Sequence, residues 1–301
     1  MAKQSSIPGT TGRNLLITGA TGNVGIETIR ALRELSAAHR VVAATHRPDC
    51  AGERLPAFEG LDVRRLDFAD PTSFPGALAG IDVVFLLRPP QLADIPRYFQ
   101  PFLAAVAAAG VRRIVFLSVQ GVEEQARIPH HKLEKLIRDR DLDYVFLRPG
   151  YFMQNLTTTL LPEIKNDDKI FIPADDLRFN WVDARDIGAV AARVLIDFEA
   201  HRNKAYELTG REFLDFHAVA GLLSQQLDRP IRYESPHLLR FYLAKRRQGL
   251  PHAMIFVMIM LHYLPRFGKN QPRLTDTVEN ITGQAPGTLA AFIEREKNKF
   301  G

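Results

Sequence analysis

The chain has 301 residues, 46% of them hydrophobic, enough for one large α/β domain or for such a domain with a smaller lobe. The net charge of +5 comes from both signs mixed along the chain, so nucleic acid is not the expected partner, and a phosphate-bearing small molecule accounts for the mild basicity. A single cysteine, Cys50, excludes an internal disulfide, and no Cys/His cluster has zinc spacing, so no metal is expected. The polar first fourteen residues lack the apolar core of a secretory signal, which makes a cytoplasmic location the expectation.

After a loose tail, Met1 to Arg13, the first strand is read at Leu15 to Thr18. Gly19, Gly22 and Gly25 follow in a G-x-x-G-x-x-G pattern, and a helical pattern then runs from about Val24 to Leu35, with Ile26, Ile29, Leu32 and Leu35 on one side. Strand, glycine turn and helix in that order suit a dinucleotide pyrophosphate. Gly19 supplies a tight turn, Gly22 lets the backbone approach the phosphates, and Gly25 lets the helix pack near the strand. The phosphates then face the N–H groups and the positive end of the helix. Thr18, Gly19, Thr21, Gly22, Asn23, Val24 and Gly25 are therefore candidate cofactor-binding residues.

Further strands are read at Val41 to Thr45, Val63 to Leu66, Ile81 to Leu87, Arg113 to Ser118 and Tyr144 to Leu147, the last closed by Arg148-Pro149-Gly150. Helices are read from about Ile95 to Ala109 and Pro129 to Arg140. The alternation predicts a Rossmann-type, doubly wound parallel sheet, with a smaller and mostly helical C-terminal lobe. The dinucleotide domain is expected over 1–150, with a segment of about 179–210 returning to it, and the substrate lobe over 151–301. Later elements are expected at Lys169 to Ile172, Arg185 to Asp197, Ala205 to Leu208 (a strand rejoining the sheet), Phe216 to Leu227 and Ile231 to Tyr233.

Ligands of such a sheet bind outside the carboxyl ends of its strands. The second strand ends Thr45-His46-Arg47 with no carboxylate before Asp49. An acidic residue there would accept the ribose hydroxyls of NAD, whereas Arg47 beside His46 suits the extra phosphate of NADP, so NADP(H) is expected over NAD(H). Asp67, followed by Phe68, would meet the adenine edge or cap its own turn. Leu87, Arg88 and Pro89 after the fourth strand, Ser118 after the fifth and Pro149 after the sixth complete the expected cofactor contacts. Pro89 and Pro90 would make that loop rigid. Gln120, Tyr151, Phe152 and Asn155 are candidate substrate contacts. An aromatic wall at Tyr151 and Phe152 suits a flat apolar acceptor and equally suits packing between lobes. Asp183 and Asp186 bracket a helix start and are read as N-caps.

Met254 to Leu261 is an unbroken apolar run between Lys245-Arg246-Arg247 and Arg266. It is far shorter than the ~20 residues that cross a bilayer. A helix on a membrane surface is one reading; burial over the substrate cleft or at a contact with a second subunit or another protein is the preferred one.

The stretches L-L-I-T-G-A-T-G-N-V-G, R-I-V-F-L-S, L-R-P-G-Y-F-M-Q-N, W-V-D-A-R-D-I-G and T-D-T-V-E-N-I-T-G-Q-A-P together resemble the NmrA-like branch of atypical short-chain dehydrogenases, over about Asn14 to Phe292. The resemblance implies a Rossmann domain, a smaller C-terminal lobe and a cleft between them. It also implies either an NAD(P)H-dependent reductase of quinones, dyes and similar acceptors or a catalytically silent sensor of the NADP pool. Most short-chain dehydrogenases carry Tyr-x-x-x-Lys, but no tyrosine here is followed four residues on by lysine. The family pattern would put that pair near Ala126 and His130. Oxidation of alcohols, and epimerase or dehydratase chemistry that needs the tyrosine, are disfavoured. Hydride transfer to a planar electron-poor acceptor remains open, with His130 and His131, at a helix start expected to favour the neutral imidazole, as candidate proton donors and His130 the one preferred. Ser118 stands where the usual catalytic serine would be and is read as bonding the cofactor or its own loop.

Overall fold

The computed structural model describes residues 12–35, 38–55, 60–267 and 273–301. The chain divides into two compact units, Met1–Arg148 with Ile187–Tyr206, and Pro149–Asp186 with Glu207–Gly301.

The N-terminal unit contains β1 (Asn14–Ile17), α1 (Asn23–Leu35), β2 (Arg40–Thr45), β3 (Asp62–Arg65), α2 (Phe74–Leu78), β4 (Val83–Leu86), α3 (Ile95–Ala108), β5 (Arg113–Leu117), α4 (Pro129–Arg138) and β6 (Asp143–Pro149). The chain continues with β7 (Tyr151–Phe152), α5 (Leu161–Asp167), β8 (Lys169–Phe171), β9 (Phe179–Val182), α6 (Ala184–Ile196), α7 (Phe198–His201) and β10 (Lys204–Leu208). Seven strands form one sheet in the order β10-β6-β5-β4-β1-β2-β3, so the direction of winding reverses between β1 and β4. Pairing is parallel from β3 through β6. β10 lies along β6, with the Asn203 amide donating to the Tyr144 carbonyl and the Gly150 amide to the Leu208 carbonyl.

β1 and β4 are fully buried apart from Asn14, as strands covered by helices on both faces must be. On one face Leu16, Val84, Ile114 and Phe116 pack with Phe99, Phe102 and Leu103 of α3 and Leu133 and Ile137 of α4. The buried stripe of α1 is Val24, Gly25, Thr28, Ile29 and Leu32. Contrary to the expected stripe, Ile26 is only half-buried, because steps of three and four from Val24 and Gly25 pass it by, and Leu35, though in step with them, is exposed as the last residue of the helix. β6 also runs on through Arg148 and Pro149 rather than closing at Leu147.

Arg148 is the charged residue at the inner end of β6. Its guanidinium binds Glu134 of α4 through two bonds of 3.0 and 2.8 Å, and both side chains are almost wholly buried. Its remaining nitrogen reaches Glu123 at 2.8 Å. The forked geometry of guanidinium and carboxylate fixes the start of α4 against the sheet.

The C-terminal unit adds β11 (Phe213–Leu214), α8 (Phe216–Leu227), β12 (Arg232–Glu234), α9 (Leu238–Arg247), α10 (His252–His262), α11 (Thr277–Thr282) and α12 (Leu289–Phe300). It has a small sheet in the order β11-β9-β7 and a parallel pair, β12-β8. Its core joins Met153, Leu156, Trp181, Phe216, Phe241 and Phe292, and buries the Lys245–Glu163 ion pair, to which Gln248 also donates. Among the described residues no helix is long and apolar enough to cross a membrane.

Removing one partner of a buried ion pair leaves the other charged and unsolvated. Arg148→Ala is therefore expected to lower stability by about 3–5 kcal/mol, read as a lower denaturant midpoint with an unchanged slope.

Candidate functional site

The site grows from the turn between β1 and α1. Thr18 is fully buried, accepts from the Leu87 amide at 2.8 Å and so ties β1 to the end of β4. Its side chain thus holds the two strands that flank the winding reversal. Gly19 takes φ +55°, and a Cβ there would lie 3.3 Å from Leu87 Cβ. The Gly22 amide donates to Gly19 O at 2.9 Å and closes the turn. A Cβ on Gly25 would stand 2.6 Å from Gly19 O and 2.8 Å from Ala20 Cα, both backbone atoms that cannot step aside. The close approach that requires Gly25 is to the turn itself rather than to a neighbouring strand. Gly22 is exposed, and a Cβ there would meet only Gly19 O, at 3.2 Å, so its small size matters chiefly toward the outside.

In α1 the Ile26 amide bonds Gly22 O at 3.0 Å, and the amides of Asn23, Val24 and Gly25 before it are the orphan donors of a helix start. The first turn has no acidic side chain to compete for them. Beside this turn lies a cavity of about 190 Å³ in the same unit, lined by Gly19, Thr21, His46, Asp67, Phe68 and Pro89. Six residues expected from the sequence thus meet at one place. Gln91 and Leu92 also line it and were not expected. Their position just beyond the Pro89-Pro90 step was the available signal. The cavity is smaller than the ~300 Å³ of a whole ligand pocket, which suits one end of an extended ligand.

His46 and Arg47 are exposed at the end of β2. Asp67 caps its own turn, accepting from the Ala69 amide at 2.9 Å, while its residue also lines the cavity. Arg88 uses one nitrogen to bind the carbonyls of Pro89, Pro90 and Leu92 at 3.0, 3.2 and 3.1 Å, which makes the diproline loop rigid. Leu87 is buried in the core.

A second group of residues gathers past β4 and β5. Among the described residues Arg88 Nε and Ser118 Oγ are buried without a hydrogen-bond partner. Buried polar atoms are rarely left unpaired, so each is a place where a bound molecule can supply the missing bond. His130 packs over Phe116 with ring centroids 6.2 Å apart. Burial, helped by the charge of Arg88, pushes its imidazole down to about 3. His130 is neutral as expected, but burial is the main cause. His131 instead binds Val122 O at 3.0 Å. Gln120 sits half-buried in the loop after β5.

In the C-terminal unit Tyr151 forms β7 with Phe152. Its ring packs against Phe179 and Trp181, both at 4.7 Å, and its hydroxyl meets His262 Nε2 at 2.8 Å. His262 Nδ1 lies 2.7 Å from Met258 O and so carries the ring proton, leaving Nε2 to accept from the tyrosine. Burial raises the Tyr151 pKa, a shift opposed by a bond with Asn155, and pushes His262 down to about 4. Asp183 caps α6, accepting from the Arg185 amide at 3.1 Å. Asp186 does not cap: it accepts from the Gly287 amide at 3.0 Å, and burial pushes its carboxyl up to about 6. Gln154 donates to Asp183 at 2.7 Å and accepts from the Ala184 amide at 3.0 Å, a positioning role not foreseen. A larger cavity of about 610 Å³ beside α9 is walled by Glu163, Asp167, Lys169, Arg240 and Arg247, and holds none of the expected site residues. Cys50 is exposed, and no group of three metal-ligating side chains occurs among the described residues.

The NmrA-like family pattern matches residues 11–243, most of the chain. The chain belongs to the NmrA-like family. It is 28% identical to an NAD(P)H azoreductase of Xenophilus azovorans over 293 residues, 95% of this chain and 99% of the relative. It is 27% identical to quinone oxidoreductase 2 of Escherichia coli over 244 residues, 80% of this chain and 84% of the relative. The solved NADPH complex of an Escherichia coli NADPH-dependent quinone oxidoreductase superposes with a TM-score of 0.80 at 24% identity, covering 94% of this chain and 100% of that one. This NmrA-like chain therefore shares that fold over nearly its whole length.

The two buried histidines set a pH limit. Their folded pKa values, about 3 for His130 and about 4 for His262, lie below the ordinary 6.5. As pH falls below 6.5 the unfolded chain takes up protons that the folded chain refuses, so stability declines from pH 6.5 toward about 4 for His262 and about 3 for His130. This contribution is level above pH 6.5. His130→Asn is expected to flatten the decline, measured as denaturant midpoint against pH.

Proposed function

We propose that the protein is an NADPH-dependent reductase that passes hydride directly to a planar electron-poor acceptor, such as a quinone. The observation that carries this reading is the glycine turn at the winding reversal, with its orphan amides and adjoining cavity. The family relatives that reduce azo compounds and quinones support it. NADPH, when bound, supplies the hydride.

The chain's residues do the rest. The orphan amides of Asn23, Val24 and Gly25 hold the diphosphate at the positive end of α1. Thr21, Asp67, Phe68 and Pro89 enclose the adenosine end. His46 and Arg47 hold the additional phosphate, since no carboxylate precedes Asp49 to repel it. Ser118 Oγ and Arg88 Nε bond the cofactor toward its reactive end. His130, held neutral, donates a hydrogen bond to the acceptor oxygen as negative charge develops there. A quinone's product oxyanion is stable enough to need no tyrosine acid, and the short-chain dyad is absent here.

Quinone-dependent loss of NADPH absorbance is the test. His130→Ala is expected to lower kcat by roughly ten-fold or more with NADPH affinity unchanged. Tight NADPH binding without turnover across a panel of quinones and dyes would contradict the reading and leave a sensor of the cofactor pool in its place.

Cofactor choice is tested separately. Arg47→Glu is expected to weaken NADPH by roughly ten-fold or more while NADH changes little, measured by calorimetry. Equal losses for both would remove Arg47 from phosphate recognition.

A further inference from the structure

The apolar run between 254 and 261 is not buried within the chain, so burial over a cleft of the same chain does not account for it. α10 turns only Ile255, Met258 and His262 inward. These three lie on one side of the helix, and the remaining sides are apolar as well. Phe256, Val257, Met260 and Leu261 are exposed on α10, and Leu264 and Phe267 just beyond it. Phe256 is 57% exposed and Phe267 70%. Of the twelve large apolar side chains exposed among the described residues, nine fall between 239 and 267. The apolar exposure is thus concentrated on α9, α10 and the turn after them rather than scattered along the chain.

Within the stretch that carries this exposure the charge has one sign. From 235 to 275 the sequence carries seven Lys or Arg and no Asp or Glu. Three of these cations are balanced from outside the stretch: Lys245 by Glu163, Arg240 by Glu234 and Arg266 by Asp175. Arg246 and Arg247 are exposed at the end of α9, and Arg246 binds a neutral carbonyl, that of Leu250. α9 itself exposes Leu239 and Leu243, one turn apart. Lys269 lies outside the described residues.

We propose that α9, α10 and the turn after them form a docking surface for an anionic lipid bilayer. The eleven residues of α10 reach about 16 Å, half the hydrocarbon thickness, so the helix lies along the surface instead of crossing it. Phe256, Met260 and Phe267 enter the boundary between headgroups and acyl chains, and Arg246 and Arg247 meet the lipid phosphates. A second copy of the chain fits this patch less well. Its matching face would bring the same cations toward each other with no carboxylate between 235 and 275 to answer them. This inference does not depend on the reductase reading.

The test uses the full chain and vesicles of phosphatidylcholine alone or with about a third phosphatidylglycerol. Flotation is expected to carry the protein with the anionic vesicles, not with the neutral ones, and high salt to release it. Phe256→Ser with Met260→Ser is expected to weaken binding at least ~ten-fold, and Arg246→Ala and Arg247→Ala roughly five-fold each, with unchanged circular dichroism. The arginine variants keep the apolar face intact, so they test the proposal even if the serine variants fold poorly. The proposal is overturned if the protein stays unbound on anionic vesicles at low salt, or if the arginine variants bind like the parent. It is equally overturned if sedimentation shows a dimer that Phe256→Ser dissociates.

Discussion

The rest of the structure depends on one close approach, that of Gly25 to the backbone of Gly19 and Ala20. A turn folded this tightly ends β1 and starts α1 within a few residues, so the first amides of the helix emerge beside the strand ends. Thr18 completes the arrangement by taking the Leu87 amide, which locks β1 to β4 at the point where the sheet reverses its winding. A crevice at a reversal of strand order is where open α/β sheets bind ligands. Here it is bounded by a glycine turn, a rigid diproline loop and a helix start free of acidic residues.

A second constraint acts further along the same strand ends. The buried Arg148–Glu134 pair fixes α4 to the end of β6, and α4 brings His130 over Phe116. Burial then holds the imidazole neutral over the physiological range. The chain lacks the tyrosine and lysine that make a proton available to ordinary carbonyls. It keeps a neutral donor and two unsatisfied buried polar atoms, Arg88 Nε and Ser118 Oγ. On the reading proposed, that set serves an acceptor whose reduced form is already stable and is poor for an alcohol.

The parallel sheet was legible because its strands are short apolar runs punctuated by turns, and β1, β2, β4 and β5 fall within a residue or two of their expected bounds. The glycine turn was legible because close backbone approach leaves a spacing in the sequence. Side-chain pairings were not legible: Arg148 with Glu134, or Gln154 with Asp183, join residues 14 and 29 positions apart, and nothing local marks them. Tyr151 could be placed after β6, but its bond to His262, 111 residues away, could not. The exposed face of α10 was not legible for a different reason. A run that is apolar on every side looks the same in sequence whether its outer face is covered or bare.

The most direct measurement is amide hydrogen exchange with and without NADPH. Selective slowing is expected at the orphan amides of Asn23, Val24 and Gly25 on adding cofactor, with α12 unchanged. Saturable binding that leaves those amides exchanging at their free rate, or no response even at millimolar NADPH, would contradict it.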